Sequence, residues 1–374
     1  MVASNAMSTL DGLNRDNLAG RQIVIEGSYL LKPAFGIHKL VVGIIDWLAD
    51  LSAEVTVLMP GTPPESLVRR EGVRYVGLPV WRAGRGLAYE QYSIPKYLKT
   101  SSAEVFLAPG NRGVPVVGVR QRTVLIVHDM IPFQGRTGKG VIGYLGLAPN
   151  RFSIRSSIRR ATRVVTVSAS AQSDLLEQQH RESIVGYVPL SYLGFQLHRG
   201  TSPEPFFLCT GGVSPRKNLG PTLDAFATFR QTHPLFELRI TGTSDVGAFT
   251  NRFGLGQLPQ GVVLTGRLSN EALLEMVRRS SALVYPSAYE GKGLPIIEAL
   301  ATGRPIICGT GGSQTEVAGP AGIFVNPITS ETIHDAMESA LLVDLDEYEK
   351  IATSQYRKVD GPEWEQGLLQ ALFA

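Results

Sequence analysis

Between Tyr285 and Gly309 the chain reads YPSAYEGKGLPIIEALATGRPIICG, with Glu290 and Glu298 on either side of a glycine-containing turn that leads into a helix. Lys292-Gly293-Leu294-Pro295 ends a loop where that helix begins, so the N–H groups of Gly293 and Leu294 have no partner inside it. Pro295 suits the first helical turn, where a missing donor costs nothing. Unpaired donors and the positive end of the helix dipole favour an anion such as phosphate. A carboxylate beside a phosphate is repelled unless it accepts hydroxyl hydrogen bonds, so the pair points to a polyol carried on phosphate. A sugar nucleotide has that layout, with ribose hydroxyls on Glu298 and sugar hydroxyls on Glu290. Taken alone, the same spacing is better read as a loop-capping Glu290 and a solvated Glu298.

A second element, CTGGVSPRKNLGPTLDAF, places adjacent Arg216 and Lys217 between a strand and a helix. Two cations at a strand's carboxyl end can meet a diphosphate, with charge-assisted bonds of roughly 1.5 to 3 kcal/mol each. In isolation this too reads as a basic surface turn.

Together with PRKN, the run from Tyr285 to Pro327, which includes GTGGSQTEVAGPAGIFVNP, resembles the retaining glycosyltransferases of family 4, which have the GT-B fold. The resemblance covers most of the second half closely and the first half loosely. It implies that Glu290 contacts the donor sugar, Glu298 the ribose and Lys217 the donor diphosphate. The family's usual arginine, five residues before that lysine, falls on Gly212; Arg216 either takes its place or faces solvent. Lys292 stands where an aromatic is common. Gly242 and Gly266 match turn glycines around the base, and Leu268 would offer backbone contacts to it.

In the first half, VLIVHDMIPF ends a strand at His128-Asp129, the edge where a doubly wound sheet presents ligands. By resemblance His128 contacts a sugar hydroxyl or the developing positive charge, while Asp129 reads as a cap or an orienting group. LKPAFGIHKLVVGIIDWLADL resembles the family's first glycine-containing loop and helix: Gly36 would let backbone approach the diphosphate or acceptor, and His38 would lie on the acceptor side. The loop lacks G-x-G-x-x-G, which disfavours a nicotinamide dinucleotide. The helix's own stripe, Leu40, Ile44, Trp47 and Leu51, reads as core. Arg151, Arg155, Arg159 and Arg163 recur every four residues, which predicts one basic helix side. That side suits anionic lipid near a lipid-linked acceptor, a solvated face or a contact in the cleft.

The elements that must position these groups form a βαβ pattern: short apolar, β-branched runs alternate with segments of helical period. The first half predicts strands at Gln22–Glu26, Val55–Met59, Val73–Val76, Val105–Ala108, Val124–His128 and Val164–Ser168. The second predicts them at Phe206–Thr210, Glu237–Thr241, Val262–Thr265, Ala282–Tyr285, Pro305–Cys308 and Gly322–Val325. Helices are expected over Asn218–Phe229, over Glu271–Arg279 with Asn270 as cap, and over Glu363–Phe373. LGFQLHRGTSPEPFF, from Leu193 to Phe207, reads as the linker. The expected fold is α/β, GT-B: an acceptor-binding Rossmann-like domain over 13–195 faces, across a cleft, a nucleotide-sugar-binding one over 205–360. A terminal helix, 363–374, packs back on the first.

A length of 374 residues agrees with two domains, and scattered glycine and proline exclude collagen, coiled coil and wholesale disorder. Residues 1–200 hold 23 basic against 14 acidic side chains, net +9, whereas 201–374 hold 13 against 19, net −6, so the first half is the one suited to an anionic partner. Without aromatic interleaving that charge argues against nucleic acid. Cys209 and Cys308 have neither disulfide-framework nor zinc spacing and read as reduced core residues. No run approaches the roughly 20 apolar residues of a membrane span, and the start lacks a leader pattern. The expected location is cytoplasmic, with peripheral contact to the inner face of the membrane.

The expected activity is retaining transfer of a hexose or deoxyhexose from a nucleoside-diphosphate sugar to a saccharide or polyprenyl-diphosphate-linked acceptor. No metal or other cofactor is expected. The look is closest to bacterial mannosyl- and rhamnosyltransferases of surface polysaccharide assembly, so GDP-mannose leads the donors. Alternatives are a non-catalytic sugar-nucleotide-binding subunit of an assembly complex and a nucleotide-sugar epimerase or hydrolase on the same fold.

Overall fold

The computed structural model describes residues 18–31, 36–80, 85–133, 141–198 and 202–374, with side chains left out at 85 and 141–148. The chain divides into two compact units: one runs to Leu193 and takes in Gly361–Ala374, and the other is Gly194–Asp360.

The first unit holds strands β1 (Gln22–Glu26), β2 (Glu54–Pro60), β3 (Arg74–Leu78), β4 (Val105–Ala108), β5 (Arg122–Val127), β6 (Arg163–Thr166) and β7 (Ile184–Val185). All pairs are parallel and the order is β3-β2-β1-β4-β5-β6-β7, so the winding reverses between β1 and β4. Its helices include α1 (Gly36–Asp50), α2 (Ile94–Thr100), α3 (Val141–Arg160) and α4 (Ala169–Gln179). A helical turn at Arg85–Ala88 and a π-type turn at Tyr89–Ser93 lead into α2.

The second unit holds β8 (Phe206–Cys209), β9 (Glu237–Thr241), β10 (Val262–Gly266), β11 (Ala282–Tyr285), β12 (Ile306–Cys308) and β13 (Gly322–Phe324), parallel throughout in the order β10-β9-β8-β11-β12-β13. Its reversal lies between β8 and β11. The helices are α5 (Leu219–Thr232), α6 (Val246–Phe253), α7 (Asn270–Arg279), α8 (Leu294–Ala301), α9 (Gln314–Ala318), α10 (Ser330–Leu341) and α11 (Leu345–Val359). The last helix, α12 (Pro362–Phe373), belongs to the first unit.

Central strands are apolar because helices cover both faces of a parallel sheet: every residue of β4, β8 and β11 is buried. Edge strand β3, RYVGL, is buried only at Leu78. Each unit has its own core, with Phe106, Leu125, Ile158 and Leu175 in the first and Phe207, Phe226, Phe229 and Met337 in the second.

Several sequence expectations change. The two-residue β7 carries no apolar alternation and was not expected. Ser168 lies beyond β6 and caps α4, its Oγ accepting from Ala171 N at 3.1 Å. Ser269, not Asn270, caps α7, accepting from Ala272 N at 3.2 Å, because its extended backbone leaves the hydroxyl facing the open N–H groups. Leu40, Ile44 and Trp47 are buried in α1, but Leu51 lies past its end and is half-buried. Within 193–207, His198 N donates to Ala301 O at 2.8 Å and Glu204 N to Arg279 O at 2.8 Å, ties within the second unit. On α12, Trp364 O accepts from Tyr187 N at 2.9 Å, and Glu365 Oε1 accepts from the buried Trp47 Nε1 at 2.7 Å. Cys209 and Cys308 are buried free thiols.

Candidate functional site

At the reversal point of the second sheet, β8 ends at Cys209 and the chain turns through Gly211 and Gly212, with φ +89° and +71°. A Cβ at Gly211 would stand 3.2 Å from Lys217 Cε and 3.3 Å from its Nζ, so the glycine leaves room for the lysine. Lys217 closes a short 3-10 turn, Pro215–Lys217, and is only 5% exposed. Its Nζ lies 3.7 Å from the Tyr285 ring centroid and donates to Glu290 Oε1 at 2.7 Å. Ser287 Oγ donates to the same oxygen at 2.6 Å. Arg216 NH1 donates to Tyr289 O at 3.0 Å and also to Glu290 Oε1. Arg216 therefore turns toward the glutamate loop, with its side chain 36% exposed.

Two cations thus share one carboxylate in a largely dry setting. Burial, with Arg216 adding repulsion, pulls Lys217 down to about 8 despite the attraction of Glu290. Burial alone would raise Glu290, yet Lys217 and Arg216 together hold it below its ordinary value. With both cations protonated the cluster keeps a surplus positive charge, which suits an anion.

The neighbouring loops fix that cluster. Glu290 O accepts from Ser313 N at 2.8 Å, and Gln314 Nε2 donates to Ser287 O at 2.7 Å and to Gly311 O at 2.8 Å. Gly293, at φ +71°, is the N-cap of α8, so Leu294 and Pro295 open the helix as expected. Glu298, one turn along, is buried, and its charge reaches the Tyr285 hydroxyl. Lys292 is also buried, and burial pulls it to about 8 against the attraction of Glu316 and Asp360. The buried hydroxyls of Thr210 and Ser313, in the loops after β8 and before α9, have no hydrogen-bond partner among the described residues. Ligand oxygens could satisfy such groups.

Gly242 and Gly266 end β9 and β10 with φ +87° and +72°. Gly242 N donates to Gly266 O at 2.7 Å, and Gly212 N to Thr241 O at 3.1 Å, so the three glycine turns stack along one edge of the sheet. A Cβ on Gly242 would come within 3.1 Å of Gly212 N. Leu268 lies half-buried in the loop from β10 to α7.

In the first unit, Gly36 is the first residue of α1, and the residues before it, 32–35, lie outside those described. His38 Nδ1 is 3.3 Å from Tyr29 O. His128 follows β5; its backbone N donates to Asn111 Oδ1 at 2.7 Å, and Nε2 faces Pro109 O at 2.7 Å. A carbonyl partner requires the proton on Nε2, and burial lowers the ring's basicity, so the imidazole is neutral. Asp129 Oδ1 accepts from Ile131 N at 3.1 Å, a capping role.

One further acidic group lies at the strand-end edge of this unit. Glu26, the last residue of β1, is 3% exposed at the β1/β4 reversal point, and its Oε1 accepts from Ser28 N at 2.8 Å. Burial, helped by the charge of Glu90, pushes its carboxyl up to about 7. A glutamate closing the apolar run IVI is the available signal.

The four-arginine stripe is corrected. α3 ends at Arg160 and Arg163 opens β6, so the four do not share a helix. Arg151 is buried, donating through Nε to Pro132 O at 2.5 Å, and Arg155 sits 5.1 Å from the Phe133 ring centroid. Arg151 is thus held by backbone rather than presented on a shared basic face. Among the described residues no helix is long and apolar enough to cross a membrane, and no group of three or more His, Cys, Asp or Glu side chains is placed to hold a metal ion.

Hydrogen bonds therefore join Lys217, Arg216 and Glu290 directly, and Gly293, Leu294 and Glu298 continue from the same loop. Gly242 and Leu268 lie along the same sheet edge, while His128, Gly36 and His38 belong to the first unit.

Residues 198–358 match the family model described as glycosyl transferases group 1, and residues 35–190 match the glycosyl transferase 4-like domain. The O-antigen chain mannosyltransferase B of Escherichia coli is 29% identical over 203 residues, 52% of this chain and 49% of that protein. The chain thus spans about half the length of that relative. A sucrose-phosphate synthase structure from Thermosynechococcus elongatus superposes with TM-score 0.67 at 17% identity, covering 91% of this chain and 94% of the other. WaaG, a glycosyltransferase involved in lipopolysaccharide biosynthesis, gives TM-score 0.67 at 15% identity, covering 94% and 98%. With one model matched in each half and the GT-B architecture in both sheets, the chain belongs to the group 1, family-4-like glycosyltransferases.

Proposed function

We propose that this chain transfers a hexose, with mannose as the leading candidate, from a nucleoside-diphosphate sugar to a hydroxyl of a saccharide or lipid-linked saccharide, with retention at the anomeric carbon. The observation that carries the reading is the cluster of buried Lys217 and Glu290 with half-buried Arg216 at the reversal point of the second sheet, beside the Gly293 turn. Mannose leads because relatives such as the O-antigen chain mannosyltransferase B carry that name, and GDP-mannose is the donor to try first.

In the reaction the bond from the anomeric carbon to the diphosphate oxygen breaks and a bond to the acceptor oxygen forms. The acceptor's proton passes to the departing phosphate oxygen on the same face. Lys217, Arg216 and the N–H groups near Gly293 and Leu294 stabilise the charge growing on the leaving diphosphate, and one such preorganised donor is worth roughly 2.7 to 4 kcal/mol. Glu290 holds the sugar hydroxyls and Glu298 the ribose; Gly242 and Leu268 border the base. Neutral His128 offers Nδ1 to a sugar hydroxyl, with Gly36 and His38 toward the acceptor. The charge on the leaving group is met by these residues without a metal.

A thermal-shift panel of nucleoside diphosphates and their sugars, followed by turnover with saccharide acceptors, tests the reading. A ligand at 100 times its dissociation constant stabilises by about 2.7 kcal/mol. No stabilisation by any nucleoside diphosphate would sink the assignment. Donor breakdown independent of acceptor would favour a hydrolase or epimerase, and binding without turnover a non-catalytic binding subunit.

A further inference from the structure

We propose that a groove in the first unit receives the hydrocarbon chain of an anionic amphiphile whose head group meets Arg112. This rests on the transferase reading and deepens it, since such a molecule is the lipid part of a lipid-linked acceptor.

The groove has a volume of about 600 Å³ and lies between the helical turn at Arg85–Ala88, the loop after β4 and α3. That is within the roughly 300–1,000 Å³ of small-molecule sites. Four large apolar side chains line it while remaining open to solvent: Leu87 at 61% exposure, Val116 at 42%, Val117 at 52% and Phe152 at 73%. Singly exposed apolar residues need no explanation, but four lining one depression mark a binding surface. Its wall is preformed, because Arg160 NH1 donates to Val116 O at 2.8 Å and ties that loop to α3.

Charge selects the occupant. Among the described residues the one acidic side chain lining the groove, Glu90, meets Arg112 Nε at 3.2 Å; the Arg112 side chain is 41% exposed and lines the same space. A guanidinium among apolar lining residues complements a chain with a phosphate-type head, and the basic balance of residues 1–200 favours the same sign.

Arg112 itself stands beside the strand-end edge, since a Cβ on the next residue, Gly113, would lie 3.9 Å from Glu26 Cγ. Arg112 follows Asn111, whose Oδ1 accepts from His128 N at 2.7 Å, and the charge of Glu90 is felt at Glu26. An amphiphile seated with its head on Arg112 would therefore carry any attached sugar toward the β1/β4 reversal point.

Dodecyl phosphate below its micelle concentration, titrated into the full chain and followed by calorimetry, tests the proposal. Saturable binding is expected, at least 10-fold weaker for Val117→Asp and for Arg112→Gln and retained by Val117→Leu. Dodecyl maltoside, with the same chain and no charge, should bind more weakly, and inorganic phosphate should not compete. Equal binding by wild type and Val117→Asp, or full competition by inorganic phosphate, would overturn it. So would concentration-dependent self-association abolished by Val117→Asp, which would make a second copy the occupant. Wild type that binds nucleoside diphosphate but not dodecyl phosphate would fail the groove alone; binding neither would fail the transferase reading too.

Discussion

Lys217 Nζ stands 2.7 Å from Glu290 Oε1, so two side chains that would grip opposite parts of one donor hold each other directly. A diphosphate entering the site would compete with the carboxylate for the same ammonium. Glu290 would then be freed toward the sugar hydroxyls, which couples recognition of the two parts of the donor.

Glu290→Gln separates these roles. The amide keeps an acceptor oxygen but removes the charge that neutralises Lys217 and Arg216, so affinity for the free nucleoside diphosphate should be retained or increased. Turnover should fall by roughly 10² to 10³ as the sugar loses its charged acceptor. Calorimetry with the nucleotide, alongside steady-state rates, checks both. A loss of nucleotide affinity with turnover intact would reverse the assignment.

Proton uptake on binding reads out Lys217. Its ammonium, held near 8 rather than 10.5, is largely neutral at pH 9 in the free protein, and a bound dianion raises it again. Binding at pH 9 should therefore take up as much as about one proton, and binding at pH 6.5 almost none, so affinity falls as pH rises through about 8. Lys292 titrates in the same window, which makes Lys217→Met against wild type the needed comparison. Binding enthalpies in buffers of different ionisation heat give the count, and identical counts in the two proteins would refute the role.

Sheet and site differ in how readily they are seen from the residues. Strands such as FFLC and ALVY were legible because burial on both faces leaves an unbroken apolar run. Glu290, Glu298 and Lys217 stood out because glycines and a proline around them mark where a helix must start. The pairing of Lys217 with Glu290 was not legible, since 73 residues separate them and only the adjacency of β8 and β11 brings them together. Arg163 misled for the opposite reason: a four-residue period ran on across Ala161-Thr162, where the helix had already stopped. The use of Gly211 as a seat for the Lys217 side chain depends on tertiary contact and leaves no local trace.

Gly242→Ala tests the glycine edge. Its φ of +87° disfavours any side chain, and the added Cβ would press on Gly212 N at 3.1 Å. Urea unfolding should show a loss of about 1 to 3 kcal/mol, with weakened nucleotide affinity because the Gly212 turn must move. Gly220→Ala, in α5 with nothing within 4 Å of the new atom, is the control and should be neutral or stabilising. Equal effects from the two would remove the argument from backbone conformation.

Glu26→Gln asks whether the acid at the end of β1 holds a proton. Its folded value near 7 lies above the 4.5 of an ordinary glutamate, with burial the main cause. Between those values the native protein keeps a proton that the unfolded chain has released, so the stabilisation is complete below about 4.5 and is lost as pH rises through about 7. Glutamine keeps an oxygen for Ser28 N and never ionises. Relative to wild type the variant should gain up to about 3 kcal/mol between pH 4 and pH 8, read from denaturant midpoints at each pH. A constant difference across that range would mean that Glu26 titrates alike in the native and unfolded protein, and that its neighbours Tyr29, Tyr89 and Glu90 leave it more solvated than its 3% exposure indicates.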